Sequence, residues 1–139
     1  MAVLLTNISG NILNQNIIKE SFTKLKNKDE LKDEEINEIF YLNEEIPEKN
    51  QNFNNINVNN FKIDMNKDMD EVYDIITQII EDILDKKEFI DVIVDTSFLA
   101  YLILEVLIKK FDIIDVFILE NNNLKKAHPC GCGEEYMGY

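Results

Sequence analysis

The stretch FIDVIVDTSFLAYLILEVLIKKFDIIDVFILE, residues 89–120, divides into three blocks. A run rich in β-branched residues, Phe89-Ile90-Asp91-Val92-Ile93-Val94, stops at the polar Asp95-Thr96-Ser97. Residues 98–111 then form a block of helix length whose only charges are Glu105, Lys109 and Lys110. A second β-branched run covers residues 113–119. Strand, helix and strand within about 30 residues is the pattern of a βαβ unit. Its first turn falls where a strand's carboxyl end meets a helix amino terminus. Open α/β sheets hold their ligands there, so that edge is the expected working surface.

Outward from this unit, residues 2–6 read as a buried strand and Asn7-Ile8-Ser9-Gly10-Asn11 as a turn of small polar residues. Residues 14–25 carry Ile17, Ile18, Phe22 and Leu25 at helical spacing. A charged connector leads to a second strand at residues 38–43. Residues 44–60, with Pro47 and seven Asn, read as a long loop before a short third strand at residues 61–64. Residues 68–87 predict the clearest helix. Val72, Ile75, Ile76, Ile79, Ile80, Ile83 and Leu84 make one apolar stripe, with Asp74, Glu81, Asp82 and Asp85 opposite. The expected fold is one α/β domain over residues 1–120, Rossmann-like, with a mostly parallel sheet of about five strands and helices on both faces. A polar tail is expected at residues 121–139.

A chain of 139 residues with 45% hydrophobic content is one domain with a real core. Its 27 acidic residues face 14 cationic ones, all of them Lys, for a net charge of −13. That balance excludes duplex nucleic acid as a partner, because its phosphates need a basic footprint. Without Arg there is also no bidentate phosphate clamp. An anionic ligand would be held by backbone N–H groups, hydroxyls, amides or a few Lys. The amino terminus has no basic region of the kind that opens a signal peptide. The longest apolar run, residues 98–104, falls well short of the roughly 20 residues of a membrane span. A cytoplasmic protein with no membrane partner and no cofactor is expected.

Two turns are the candidate ligand site. Thr6, Asn7, Ser9, Gly10 and Asn11 follow the first strand, and Asp95, Thr96 and Ser97 follow the strand of the βαβ unit. Both supply hydroxyls and backbone donors at helix starts, where anions bind. The same residue types also serve as plain helix caps, so both roles stay open. His128, Cys130 and Cys132 could be soft-metal ligands. Their Cys-x-Cys spacing is tighter than a zinc hairpin and no fourth strong ligand stands nearby, so no stoichiometric metal is expected. Asp64, Asp68, Asp70, Glu71 and Asp74 lack calcium-loop spacing and read as a solvated helix start. Ser9-Gly10-Asn11 as a flavin-phosphate loop fits the size and acidity of the chain, but the aromatic loops that would flank a flavin are missing.

The block 98–111 is apolar nearly all the way round. Such a helix leaves an apolar patch unless something covers it. A homodimer with Leu99, Leu102, Ile103 and Val106 in its interface is expected, the alternative being a tail folded over the helix.

At these residues the chain resembles the CRISPR-associated Rossmann-fold (CARF) sensor domains and the small ring nucleases related to them. The resemblance lies in Leu4-Leu5-Thr6-Asn7-Ile8-Ser9-Gly10, in residues 58–64 leading to a helix with Asp70-Glu71-Val72-Tyr73, and in Val92-Ile93-Val94-Asp95-Thr96-Ser97-Phe98. It implies a homodimer that binds a cyclic oligoadenylate across its twofold interface, through Thr6, Asn7, Ser9 and Gly10 in one turn and Thr96 and Ser97 in the other. In some members the ligand's own 2′-hydroxyl opens the ring without metal. Here no basic residue sits in either turn, and no catalytic residue is assigned. Lys125 and Lys126 would be the nearest source of positive charge. The other expectation, from a different class, is a non-enzymatic dimeric α/β interaction module, with or without a metal in its Cys/His tail.

Overall fold

The computed structural model describes residues 2–10, 12–13, 15–23, 36–46, 56–86, 89–111 and 116–127. Its elements, in chain order, are β1 (Ala2–Thr6), α1 (Gln15–Thr23), β2 (Ile36–Asn43), β3 (Asn57–Lys62), α2 (Met69–Lys86), β4 (Phe89–Val94), α3 (Phe98–Phe111), β5 (Val116–Glu120) and β6 (Asn123–Lys126). Six strands form one sheet in the order β3-β2-β1-β4-β5-β6. The first five are parallel, and β6 runs antiparallel to β5. The fold is α/β and Rossmann-like, as the strand-helix alternation predicts.

The inner strands β1, β4 and β5 are apolar runs whose side chains are buried on both faces of the sheet. Alternate side chains enter two separate cores. Val3, Leu5, Phe40, Leu42, Val92, Val94, Val116 and Ile118 join buried residues of α2 and α3 in one core. Leu4, Ile39, Tyr41, Ile93, Phe117 and Leu119 join Ile17 and Ile18 of α1 in the other.

On α2, Val72, Ile76, Ile80 and Ile83 are the buried stripe. Asp70 and Glu71 in its first turn and Lys86 in its last suit the helix dipole. Lys109 and Lys110 close α3 in the same way.

Three expectations need correction. The chain beyond residue 120 is not tail from its first residue, because residues 123–126 are the sixth strand. Asn121 and Asn122 make the two-residue hairpin to it with φ of 52° and 65°. Asparagine tolerates that left-handed backbone, and the mirror-image turn matches the strand twist. The third strand starts at Asn57, inside the segment read as loop. Asparagine has low strand propensity, but pairing with β2 overrides it. The Asn59 and Asn57 amides reach Glu38 Oε2 across the strands, at 2.9 and 3.5 Å.

The third correction concerns α3. Leu99, Leu102, Ile103 and Val106, the expected dimer contacts, are all buried by their own chain. Its surface-facing apolar residues are Phe98, 56% exposed, and Tyr101. Most of the apolar surface of the helix is packed into its own domain. Among the described residues no helix is long and apolar enough to cross a membrane.

Candidate functional site

Five parallel strands send their carboxyl ends to one edge of the sheet. The order reverses direction between β1 and β4, which are neighbours in space. At such a switch point the loops leave in opposite directions and open a crevice. Here those loops begin with Asn7 and Asp95.

Asn7 ties the edge together. The residue is 2% exposed. Its Nδ2 donates to Asp95 Oδ1 at 2.9 Å and to Ser97 Oγ at 3.2 Å, and its Oδ1 accepts from Asp95 N–H at 3.0 Å. Its carbonyl accepts from Asn43 Nδ2 at 2.7 Å. Through its side chain and its carbonyl, this one residue links the ends of β1, β2 and β4. A carboxylate acceptor makes the donor bond from Asn7 charge-assisted.

The turn after β4 is a built helix cap. Ser97 N–H donates to Asp95 Oδ1 at 2.8 Å, Ala100 N–H donates to Ser97 Oγ at 3.2 Å, and Tyr101 N–H donates to Ser97 O at 3.1 Å. Ser97 is therefore the N-cap of α3. Thr96 is exposed. Thr6 has no exposure, and its hydroxyl accepts from Ile8 N–H at 3.0 Å.

The N–H groups of Ile8, Asp95, Ser97 and Ala100 all have partners within the turns, so they are not waiting for an anion. Nor does α1 start at its turn: it begins at Gln15, after a loop in which Ile12 N–H and Leu13 N–H donate to Ser9 O at 3.0 and 2.9 Å. Gly10 is buried in that loop. Asn11, His128, Cys130 and Cys132 lie outside the described residues.

The open space lies beside these turns. A cleft of about 380 Å³ is lined by Asn7, Ile8, Ser9 and Ile12, by Tyr41 and Asn43, by Asp95, and by Leu119, Asn121 and Asn122. A second hollow of about 440 Å³ shares Ser9, Tyr41 and Asn43 and adds Glu44, Glu45 and Ile46. Of the expected residues, Asn7, Ser9 and Asp95 line this space, while Thr6, Gly10, Thr96 and Ser97 are not among its lining residues. Tyr41, Asn43, Asn121 and Asn122 were not singled out by their sequence. A polar residue ending an apolar strand, as Asn43 ends β2, was the available signal. None of the described lining residues is cationic.

Tyr41 is the aromatic side chain common to both hollows, and it is 3% exposed. Asn43, two residues along and so on the same strand face, donates from Nδ2 to Tyr41 Oη at 3.2 Å. Burial pushes the phenol above its ordinary value of 10.0; the Asn43 bond works against this, and the negative charge of Asp95 adds to it. The hydroxyl is therefore a proton-bearing donor at neutral pH. Among the described residues no group of three or more His, Cys, Asp and Glu gathers to hold a metal. In comparisons with known proteins, no family model, no curated protein and no solved structure matches the chain.

Proposed function

We propose that this protein binds a nucleotide second messenger, a cyclic oligoadenylate as in the CARF domains it resembles, in the switch-point cleft, within CRISPR-type antiviral defence. The observation that carries the reading is the coincidence of the strand-order reversal with a polar cleft of about 380 Å³, a volume within the range of small-ligand sites. Hydrogen-bonding groups from four strand ends converge there, the Tyr41 side chain among them.

The chemistry of the lining favours binding over ring opening. Attack by a ligand 2′-hydroxyl calls for a base to take its proton and a cation to balance the phosphorane charge. The described lining residues offer the carboxylates of Asp95, Glu44 and Glu45 as bases but no cation. A second chain over this edge would cover Ile12, Met69, Phe98 and Tyr101, the exposed large apolar residues among those described, which lie in the loop after β1 and in the first turns of α2 and α3. That gives the twofold arrangement a physical motive.

The test is a thermal-shift series with cyclic tri-, tetra- and hexa-adenylate. A bound ligand well above its dissociation constant raises the melting temperature by mass action. At least one ring size should do so in the parent, and Ser9→Glu, which adds a carboxylate to the cleft wall, should abolish the shift. If all three leave the parent's melting temperature unchanged, the proposal is wrong.

A further inference from the structure

The cleft carries a donor and an acceptor that the protein does not use internally. The Asn43 carboxamide is held on both sides: its Oδ1 accepts from Glu44 N–H at 2.7 Å, and its Nδ2 donates to Asn7 O at 2.7 Å and to Tyr41 Oη at 3.2 Å. Tyr41 oxygen thereby acts as an acceptor toward Asn43, and no described residue takes the phenol's own proton. Asp95 is used on one side only. Its Oδ1 receives Asn7 Nδ2 and Ser97 N–H, whereas Oδ2 receives no hydrogen bond from the described residues. Tyr41 and Asp95 line the same cleft.

A buried hydroxyl proton without an acceptor is costly where the group is fully desolvated. The same is true of a half-used carboxylate as water is displaced. A ligand that meets both groups recovers those bonds, and one that lacks the match leaves them unpaired. Polar sites of this kind discriminate more strongly than apolar ones.

We propose that Tyr41 and Asp95 read the nucleoside part of the ligand, the Tyr41 hydroxyl donating to a ring nitrogen and Asp95 Oδ2 accepting from the exocyclic amine beside it. Adenine carries that pair at its 6-amino group and adjacent ring nitrogen. The inference rests on the nucleotide reading above and narrows it to the base. It assigns Asn43 as a positioning residue, which fixes the direction of the Tyr41 proton.

Charge supports the same assignment. Asp95 lines the cleft, Glu44 and Glu45 line the adjoining hollow, and no described lining residue is cationic. A phosphate in this space would face carboxylates at short range, whereas an amine finds an acceptor. The base belongs inside and the phosphates outside, toward solvent or a second chain. Burial and the Asp95 charge keep the Tyr41 proton in place at neutral pH.

The test uses neutral nucleosides, which carry no phosphate to be repelled. Adenosine and purine riboside, which lacks only the 6-amino group, are titrated by calorimetry into the parent and into Tyr41→Phe. The parent should bind adenosine at millimolar concentration or below, and about tenfold more tightly than purine riboside. Tyr41→Phe should weaken adenosine about fivefold, as loss of one hydrogen bond does. The far-ultraviolet circular dichroism of the variant should match the parent, and a merely packed ring would leave the affinity unchanged. The inference is overturned if purine riboside binds as well as adenosine, if Tyr41→Phe binds adenosine like the parent, or if adenosine does not bind at millimolar concentration. In each of those cases a melting shift with a cyclic oligoadenylate would leave the nucleotide reading standing. If neither adenosine nor any cyclic oligoadenylate binds, both readings fall.

Discussion

The Asn7 side chain, at the end of β1, is joined to Asp95, at the end of β4, by a reciprocal pair of bonds: it donates from Nδ2 to Oδ1 at 2.9 Å and accepts at Oδ1 from the backbone N–H at 3.0 Å. The two residues are 88 apart in the chain. Their pairing closes the switch point and decides which groups are left for a ligand.

Asn7→Asp is nearly isosteric and tests that pairing. It replaces a donor with a second carboxylate against Asp95 inside a buried site. The cost expected at pH 7 is about 3–5 kcal/mol, the range for an uncompensated buried charge. Burial and Asp95 would hold the new carboxyl's folded pKa above its unfolded value of about 3.9. With the folded pKa raised, stability is greatest at low pH and is lost as pH rises through it. The gap in melting temperature between parent and variant should therefore narrow from pH 7 to pH 5. A gap that stays constant would count against the charge repulsion.

Ser97→Ala removes the N-cap of α3 and one of the two acceptors of Asn7 Nδ2. A cap is worth about 1 kcal/mol, which for a domain of this size lowers the melting temperature by about 3–5 °C. Ser97→Thr keeps the hydroxyl and should recover most of the loss. Equal melting temperatures for Ala and parent would show that the cap contributes nothing.

Tyr41→Phe should alter the alkaline limb of the stability curve. The raised phenol pKa means that the contribution of Tyr41 is fully present below its unfolded value of about 10 and is lost as pH rises through the folded value. Denaturant midpoints of the parent should fall above pH 10 more steeply than those of the variant. Parallel curves would contradict the shift.

Ile103 and Phe98 lie on the same helix but in opposite settings, Ile103 with no exposure and Phe98 with 56%. Ile103→Ala should cost about 2–5 kcal/mol through the cavity it leaves. Phe98→Ala should stay within about 0.5 kcal/mol in the isolated chain. If the chain pairs over this edge, Phe98→Glu should lower the mass seen by light scattering without lowering the stability of the subunit. A similar cost for both Ala variants would show that α3 is turned differently.

Local pattern determined much of this protein. The β-branched run of β4, the polar stop at Asp95 and the apolar block of α3 were legible with their bounds because periodicity and chain punctuation are local properties. The stripe on α2 and the buried run of β1 were legible for the same reason. Neighbours in the sheet decided the rest. Asn57–Lys62 is a strand because Glu38 and the backbone of β2 stand beside it, and Asn123–Lys126 because the Asn121-Asn122 hairpin returns it to β5. The turn residues Asn7, Asp95 and Ser97 were visible as hydrogen-bonding groups, but only the fold showed that they bond to one another. Tyr41 read as one more apolar strand residue. It became the donor of the cleft once Asn43 lay on its own face and Asp95 came across from a strand more than fifty residues away. Spacing along a chain specifies which elements form. It carries little information on which strand ends meet, because that depends on how two buried faces pack at once.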